Sequence, residues 1–282
     1  MMPNRHLLPQ DAAARRRFLR NLFLLAGAAA AGPLLTACGG SVGDSAGGTG
    51  GGRVAGRFAG IGPLGEPNEF GVRLPEGFSM RIVAQAGQAV GSSGYPWHIF
   101  PDGGGVMARE GGGWYYISNS EVPGIGTIGF SYPELAPLTD ALEALVPGLG
   151  GSSVIAFDAD GTIADAYRIL SGTTFNCAGC VTPWRTWLSC EEVPSGQVWE
   201  CDPTGVAAAV ARPALGLFCH EATTVDAARK VIYMTEDMPD GRFYRWLPDA
   251  ADWPAGSPRP ALLNGRLQVL QVAGAGVGES GS

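Results

Sequence analysis

Thr186-Trp187-Leu188-Ser189-Cys190-Glu191-Glu192 and Val231-Ile232-Tyr233-Met234-Thr235-Glu236-Asp237 share one pattern: aromatic or β-branched residues run into a small polar residue and end on acids. Such side chains suit a pleated, half-buried strand. Each copy is followed by a turn and another strand-like run, Gln197 to Gly205 and Gly241 to Asp249. The copies start 45 residues apart, the period of four-stranded propeller blades. Tyr115-Tyr116-Ile117-Ser118-Asn119-Ser120-Glu121 is an earlier copy, followed by Val154 to Gly161. It starts 71 residues before the second, and an insertion over Pro123 to Gly150 accounts for the excess.

The pattern predicts an all-β fold, a β-propeller with one short helical insertion near 134–147, where Thr139 to Leu145 reads as a helix. The 44 glycines and 21 prolines fit many turns. Between residues 60 and 272 there is room for roughly four blades. An open ring leaves a strand edge and half a core exposed, and the Ala/Gly-rich run from Ala273 to Ser282 shows no closing strand. The expectation is therefore an incomplete propeller, shortened at its C-terminal end.

The N-terminus carries an address. Arg15-Arg16-Arg17-Phe18-Leu19-Arg20 precedes the mildly apolar run Asn21 to Gly32, and Leu35-Thr36-Ala37-Cys38 has the small residues of a lipoprotein cleavage site. Residues 1–37 read as a twin-arginine signal peptide, with Arg15 and Arg16 as its export signal and Cys38 as the lipidated residue. The apolar run is too short and Ala/Gly-rich to be a strong spanning helix. Residues 38–56, rich in Gly and Ser, read as a flexible tether, and 57–282 as the folded domain. The partners implied are the twin-arginine translocase and a lipid anchor, and the location is the cell envelope or periplasm. That route carries folded cargo, which suits a protein loaded with a cofactor before export.

Without residues 1–37 the chain has 14 bases against 25 acids, a net charge near −11, which argues against nucleic acid as a partner. Beyond Cys38 lie five cysteines, Cys177, Cys180, Cys190, Cys201 and Cys219. In an oxidising envelope one or two disulfides are the ordinary expectation, with connectivity open. Cys177-Ala178-Gly179-Cys180 is a lone CxxC, weak evidence for zinc.

Blades arranged about an axis would converge the acidic strand ends Glu121, Glu191, Glu192, Glu236 and Asp237, joined by Glu221 of Phe218-Cys219-His220-Glu221-Ala222. Clustered carboxylates repel one another unless cations or protons neutralise them, and hard oxygen ligands favour calcium. A Cys177 thiolate suits a softer metal such as iron, and a disulfide is its alternative.

Asn176-Cys177-Ala178-Gly179, Thr182-Pro183-Trp184, Thr186 to Glu192, His220-Glu221-Ala222 and Tyr233 to Asp237 together resemble the PhoX alkaline phosphatase family. The resemblance runs from about Gly94 to Pro248 and implies a twin-arginine-exported propeller that hydrolyses phosphate monoesters at a cysteine-bridged iron pair with calcium. It implies Ca2+ and Fe3+ as cofactors and small phosphate esters as substrates. By position, Cys177 becomes the iron-bridging ligand, with Glu191 or Glu192, Glu221, and Glu236 or Asp237 as further ligands. Asn176 and His220 become supports behind them. Cys180 and Arg185 stand where the family has glycine, and its later arginine and glutamate find no counterpart before Ser282. Two other readings compete: a non-catalytic, calcium-stabilised propeller lipoprotein that binds or scaffolds, and a calcium-dependent lactonase-type hydrolase, which gives Cys177 no role.

Overall fold

The computed structural model describes residues 61–122 and 150–271. The export signal, Cys38, the tether and the predicted helical insertion lie outside the described residues. The chain divides into two units at Phe78. In the first, β1 (Leu64–Pro67) and β2 (Arg73–Pro75) form an antiparallel hairpin.

Among its described residues the second unit holds three four-stranded antiparallel sheets, each a simple meander in sequence order. The first comprises β3 (Pro101–Ala108), β4 (Trp114–Ser120), β5 (Gly150–Phe157) and β6 (Ile163–Thr173). In the second are β7 (Asn176–Val181), β8 (Trp187–Glu191), β9 (Val198–Cys201) and β10 (Val210–Ala211). The third contains β11 (His220–Asp226), β12 (Val231–Glu236), β13 (Phe243–Pro248) and β14 (Gly265–Val269). Four-stranded meanders of this kind are propeller blades. The architecture is all-β and propeller-like, with three blades among the described residues where roughly four were expected.

The repeated pattern falls on β4, β8 and β12, the second strand of each blade. The first strands β3, β7 and β11 neighbour one another and form the inner layer. The repeat therefore marks the second strand of each blade, and the inner layer is formed by strands that the pattern does not pick out. Gly103 to Gly105 and the CxxC disguise the true inner strands, because neither looks like a β-rich run.

Side chains alternate between the faces of each blade, so consecutive blades bury core between them. Ile117, Val154, Leu170, Trp187 and Cys201 cluster between the first and second. Leu188, Cys190, Val198, Ile232, Met234, Tyr244 and Trp246 join the second to the third. Trp187 and Leu188 are adjacent in sequence and serve opposite cores. Further along the strands the buried residues turn polar: Ser118, Asn119, Ser120, Ser152, Asn176 and Ser189 are all fully buried. Buried polar atoms must find partners: Asn119, Ser152, Asn176 and Ser189 bond one another in a chain, while Ser118 meets His98 and Ser120 donates to the Ile99 carbonyl.

Each first strand carries the same β-bulge. Between Pro101 and Gly104, Asn176 and Gly179, and His220 and Thr223, three residue steps oppose two on the neighbouring strand. Such a bulge bends the strand and re-aims the side chain that it carries. Gly103 lets the first two bulges touch: a Cβ there would lie 2.6 Å from the Ala178 Cα and 2.7 Å from the Cys177 carbonyl oxygen.

Candidate metal centre

The bulges present Asp102, Cys177 and Glu221, the second residue of β3, β7 and β11. Glu121, Glu192 and Asp237 follow the last residue of β4, β8 and β12. Their backbones are pinned alike: the Glu121 N–H donates to the Phe100 carbonyl (2.9 Å), Glu192 to Phe175 (2.8 Å) and Asp237 to Cys219 (3.2 Å). Phe100 and Phe175 hold left-handed φ values of 48° and 44°. Non-glycine residues accept that conformation only where their surroundings enforce it. Three blades thus contribute two side chains each.

The six side chains meet. Cys177 Sγ lies 3.4 Å from Asp102 Oδ1 and 3.3 Å from both carboxylate oxygens of Glu221, and its single proton can serve one of them at a time. Ligating atoms of Glu121, Cys177 and Glu192 lie within 4.8 Å of one another, as do those of Glu192, Glu221 and Asp237. Glu192 belongs to both groups.

Crowding shows in the proton affinities. Burial, then Asp102 and Glu221, push Glu121 up to about 6. Burial pushes Glu192 up to about 7, with Glu221, Glu121 and Asp237 adding to the rise and the Cys177 hydrogen bond opposing it. The Cys177 thiol is held far above its ordinary value by burial and then by Glu221, Asp102 and Glu192. The ion pairs of the described residues go to Asp158, Glu200, Asp226, Glu236 and Asp240, none of which belongs to this group. Carboxylates that repel one another so closely suit a cation, whose charge would reverse these shifts. The set fits the implied metals: Glu192, Glu221 and Asp237 are all-oxygen donors suited to calcium, and Cys177 adds one soft donor beside them.

The acidic doublets divide their labour. Glu191 faces its own hairpin, accepting from the N–H groups of Thr174 (3.0 Å) and Gln197 (3.1 Å) and from Trp199 Nε1 (3.0 Å). Glu236 does the same one blade on, accepting from the Arg242 N–H (3.1 Å) and the Tyr244 hydroxyl (2.9 Å). Glu192 and Asp237, one residue later, face the cluster. Of the six ligands expected from the sequence, Cys177, Glu192, Glu221 and Asp237 come together, while Glu191 and Glu236 lock hairpins.

Asn176 is fully buried; its Nδ2 donates to Ser189 Oγ (3.0 Å) and its Oδ1 accepts from Thr173 Oγ1 (2.5 Å). His220 is fully buried and neutral, its proton affinity lowered to about 4 by burial. Its Nε2 donates to the Gly216 carbonyl (3.2 Å), which leaves Nδ1 a lone pair without a hydrogen-bond partner. That bond orients the ring toward the loop before β11 and not toward a cluster carboxylate. The sequence reading missed Asp102; its equivalence to Cys177 and Glu221 becomes visible only when the three bulges are aligned.

All five described cysteines are free, which corrects the expected disulfides. Cys177 and Cys180 are three steps apart on one extended strand, about 10 Å at strand rise and beyond disulfide reach. Burial instead keeps the other thiols protonated: Cys180 and Cys219 are pushed up to about 11, Cys190 and Cys201 also upward. A thiol held protonated is a poor target for oxidation.

The sequence model of alkaline phosphatase PhoX matches the chain in two overlapping segments, residues 150–207 and 194–281. No curated protein and no solved structure matches. The matched segments carry Cys177, Glu192, Glu221 and Asp237, and they support an alkaline phosphatase-like function in general terms. Over residues 150–281 the chain is similar to the PhoX alkaline phosphatase family.

Proposed function

We propose that the axial cluster holds calcium and iron and that the protein is a metal-dependent phosphatase acting on small phosphate monoesters. One observation carries this reading: a single thiol, Cys177, sits among carboxylates from three blades, in the segment that matches the family. A phosphate ester is itself anionic, and a site of five carboxylates repels it until cations outnumber the acids' charge. Bound metals would supply that charge and activate an oxygen nucleophile for attack on phosphorus. The chain's own residues do the holding. Asp102, Cys177 and Glu221 approach from the bulges, and Glu121, Glu192 and Asp237 close from the strand ends. The buried serine and asparagine layer excludes water from behind.

Chelation tests the reading. Chelator-treated protein should lose hydrolysis of p-nitrophenyl phosphate, and iron together with calcium should restore it where calcium alone does not. Restoration by calcium alone, or lactone hydrolysis without phosphatase activity, would favour the calcium-only alternatives.

We also propose that the chain leaves the cell by the twin-arginine route and is held in the envelope by lipid on Cys38. Cys38→Ala should move the protein from the membrane to the soluble fraction, and Arg15→Lys with Arg16→Lys should keep it inside. Unchanged fractionation would refute the address.

A further inference from the structure

Asn119 occupies the penultimate position of β4, one blade away from Cys177, and is fully buried. Its Nδ2 donates to two successive carbonyls of the next blade's bulge, Cys177 O and Ala178 O, each at 3.0 Å. Its Oδ1 accepts from Ser152 Oγ (2.5 Å), Ser189 Oγ (2.9 Å) and Trp187 Nε1 (3.0 Å). Both amide protons and the oxygen are thus used, and the donors come from two different blades. The hydrogen bonds fix which way the amide is turned, since only nitrogen can face two carbonyls and only oxygen can accept from an indole N–H.

A bulge interrupts the ladder and leaves backbone groups without their usual partners. Here the missing partners are supplied by a side chain of the neighbouring blade. We propose that Asn119 is a positioning residue that clamps the β7 bulge and so sets where the Cys177 sulfur stands relative to Asp102 and Glu221. The proposal rests on the metal-centre reading for its consequence and on hydrogen bonding alone for its geometry. It also gives the buried polar layer a purpose: Ser152, Ser189 and Trp187 hold Asn119, and Asn119 holds the bulge. Nothing in the family match carries this, because residue 119 lies outside both matched segments.

Two readouts on the full chain separate this proposal from the reading it rests on. The first needs no metal: maleimide labelling of chelator-treated protein, mapped by mass spectrometry at each cysteine. Asn119→Ala, and the milder Ser152→Ala, should speed labelling of Cys177 relative to Cys180 on the same strand, by about tenfold for the loss of both carbonyl bonds. Ile232→Val, a core truncation in the third blade, should raise no such ratio. The second readout is the thiolate-to-metal charge-transfer band on adding Co2+, which Cys177→Ala should abolish and Asn119→Ala should weaken or shift. An unchanged Cys177 to Cys180 labelling ratio in both Asn119→Ala and Ser152→Ala overturns the positioning role. If the ratio moves while the parent protein shows no Cys177-dependent band, the clamp stands and the metal-centre reading fails.

Discussion

Cys177 and Glu221 lie 44 residues apart in sequence, yet the Cys177 sulfur sits 3.3 Å from both oxygens of the Glu221 carboxylate. They occupy the same place in consecutive blades, the second residue of a bulged first strand. Packing one blade against the next brings equivalent positions together at the inner layer, so the site is a product of the repeat. Glu221→Gln removes a charge that helps keep the thiol protonated. In metal-free protein Cys177 should then react with iodoacetamide at lower pH than in the parent, with metal binding weakened in parallel.

The doublets Glu191-Glu192 and Glu236-Asp237 give a paired test. Glu191→Ala strips three donors of their charged acceptor and should cost about 2–3 kcal/mol in urea unfolding. Glu192→Gln relieves repulsion, so metal-free protein should unfold no more easily than the parent while its metal content falls. Equal metal loss in both variants would contradict the division of labour.

That division marks where the sequence stopped being legible. The strands, their order and their blade spacing could be read because core burial imposes alternation on every copy of the repeat. The convergence of acids could be read because those acids end each copy. Which acid of a doublet faces the axis depends on the parity of a strand that ends in a hairpin, and composition carries no mark of it. Asp102 was hidden for a related reason: a bulge followed by three glycines has no strand-like pattern, and its meaning comes from contact with the neighbouring bulge. Asn119 stood in the quoted repeat, but its role depends on a partner in the next blade.

Proton linkage offers a third prediction, with the sign decided by difference. In metal-free protein Glu192 rises from 4.5 to about 7, so the folded state holds a proton that the unfolded chain releases. Its contribution is full below about 4.5 and is lost as pH climbs toward 7. The buried histidines oppose this, since His98 is lowered to about 3 and His220 to about 4, both from 6.5. Their stabilising contribution is full above 6.5 and fades as pH falls toward 3 to 4. The net curve mixes the two, but the stability of the parent minus that of Glu192→Gln isolates the first. That difference should fall steadily from pH 4.5 to 7 in chelator-treated protein, and added calcium should abolish the fall. A difference that rises over this window would place Glu192 in another environment.

Glu200 anchors the far side of the second blade. Its buried carboxylate accepts from Arg212 (2.9 Å through Nε), Arg259 (3.0 Å), Trp184 Nε1 (2.7 Å) and Thr186 Oγ1 (2.8 Å). Glu200→Gln leaves two guanidinium groups facing a neutral amide and should destabilise by about 3–5 kcal/mol. Protein that still folds should retain its metals, because this network does not touch the axial cluster.

Iron content of Cys177→Ala tests the central claim most directly. Protein purified from its own envelope should contain iron together with calcium, and Cys177→Ala should lose the iron and the hydrolysis of phosphate monoesters while remaining folded. Folded Cys177→Ala that keeps its iron and its phosphatase activity would contradict the account.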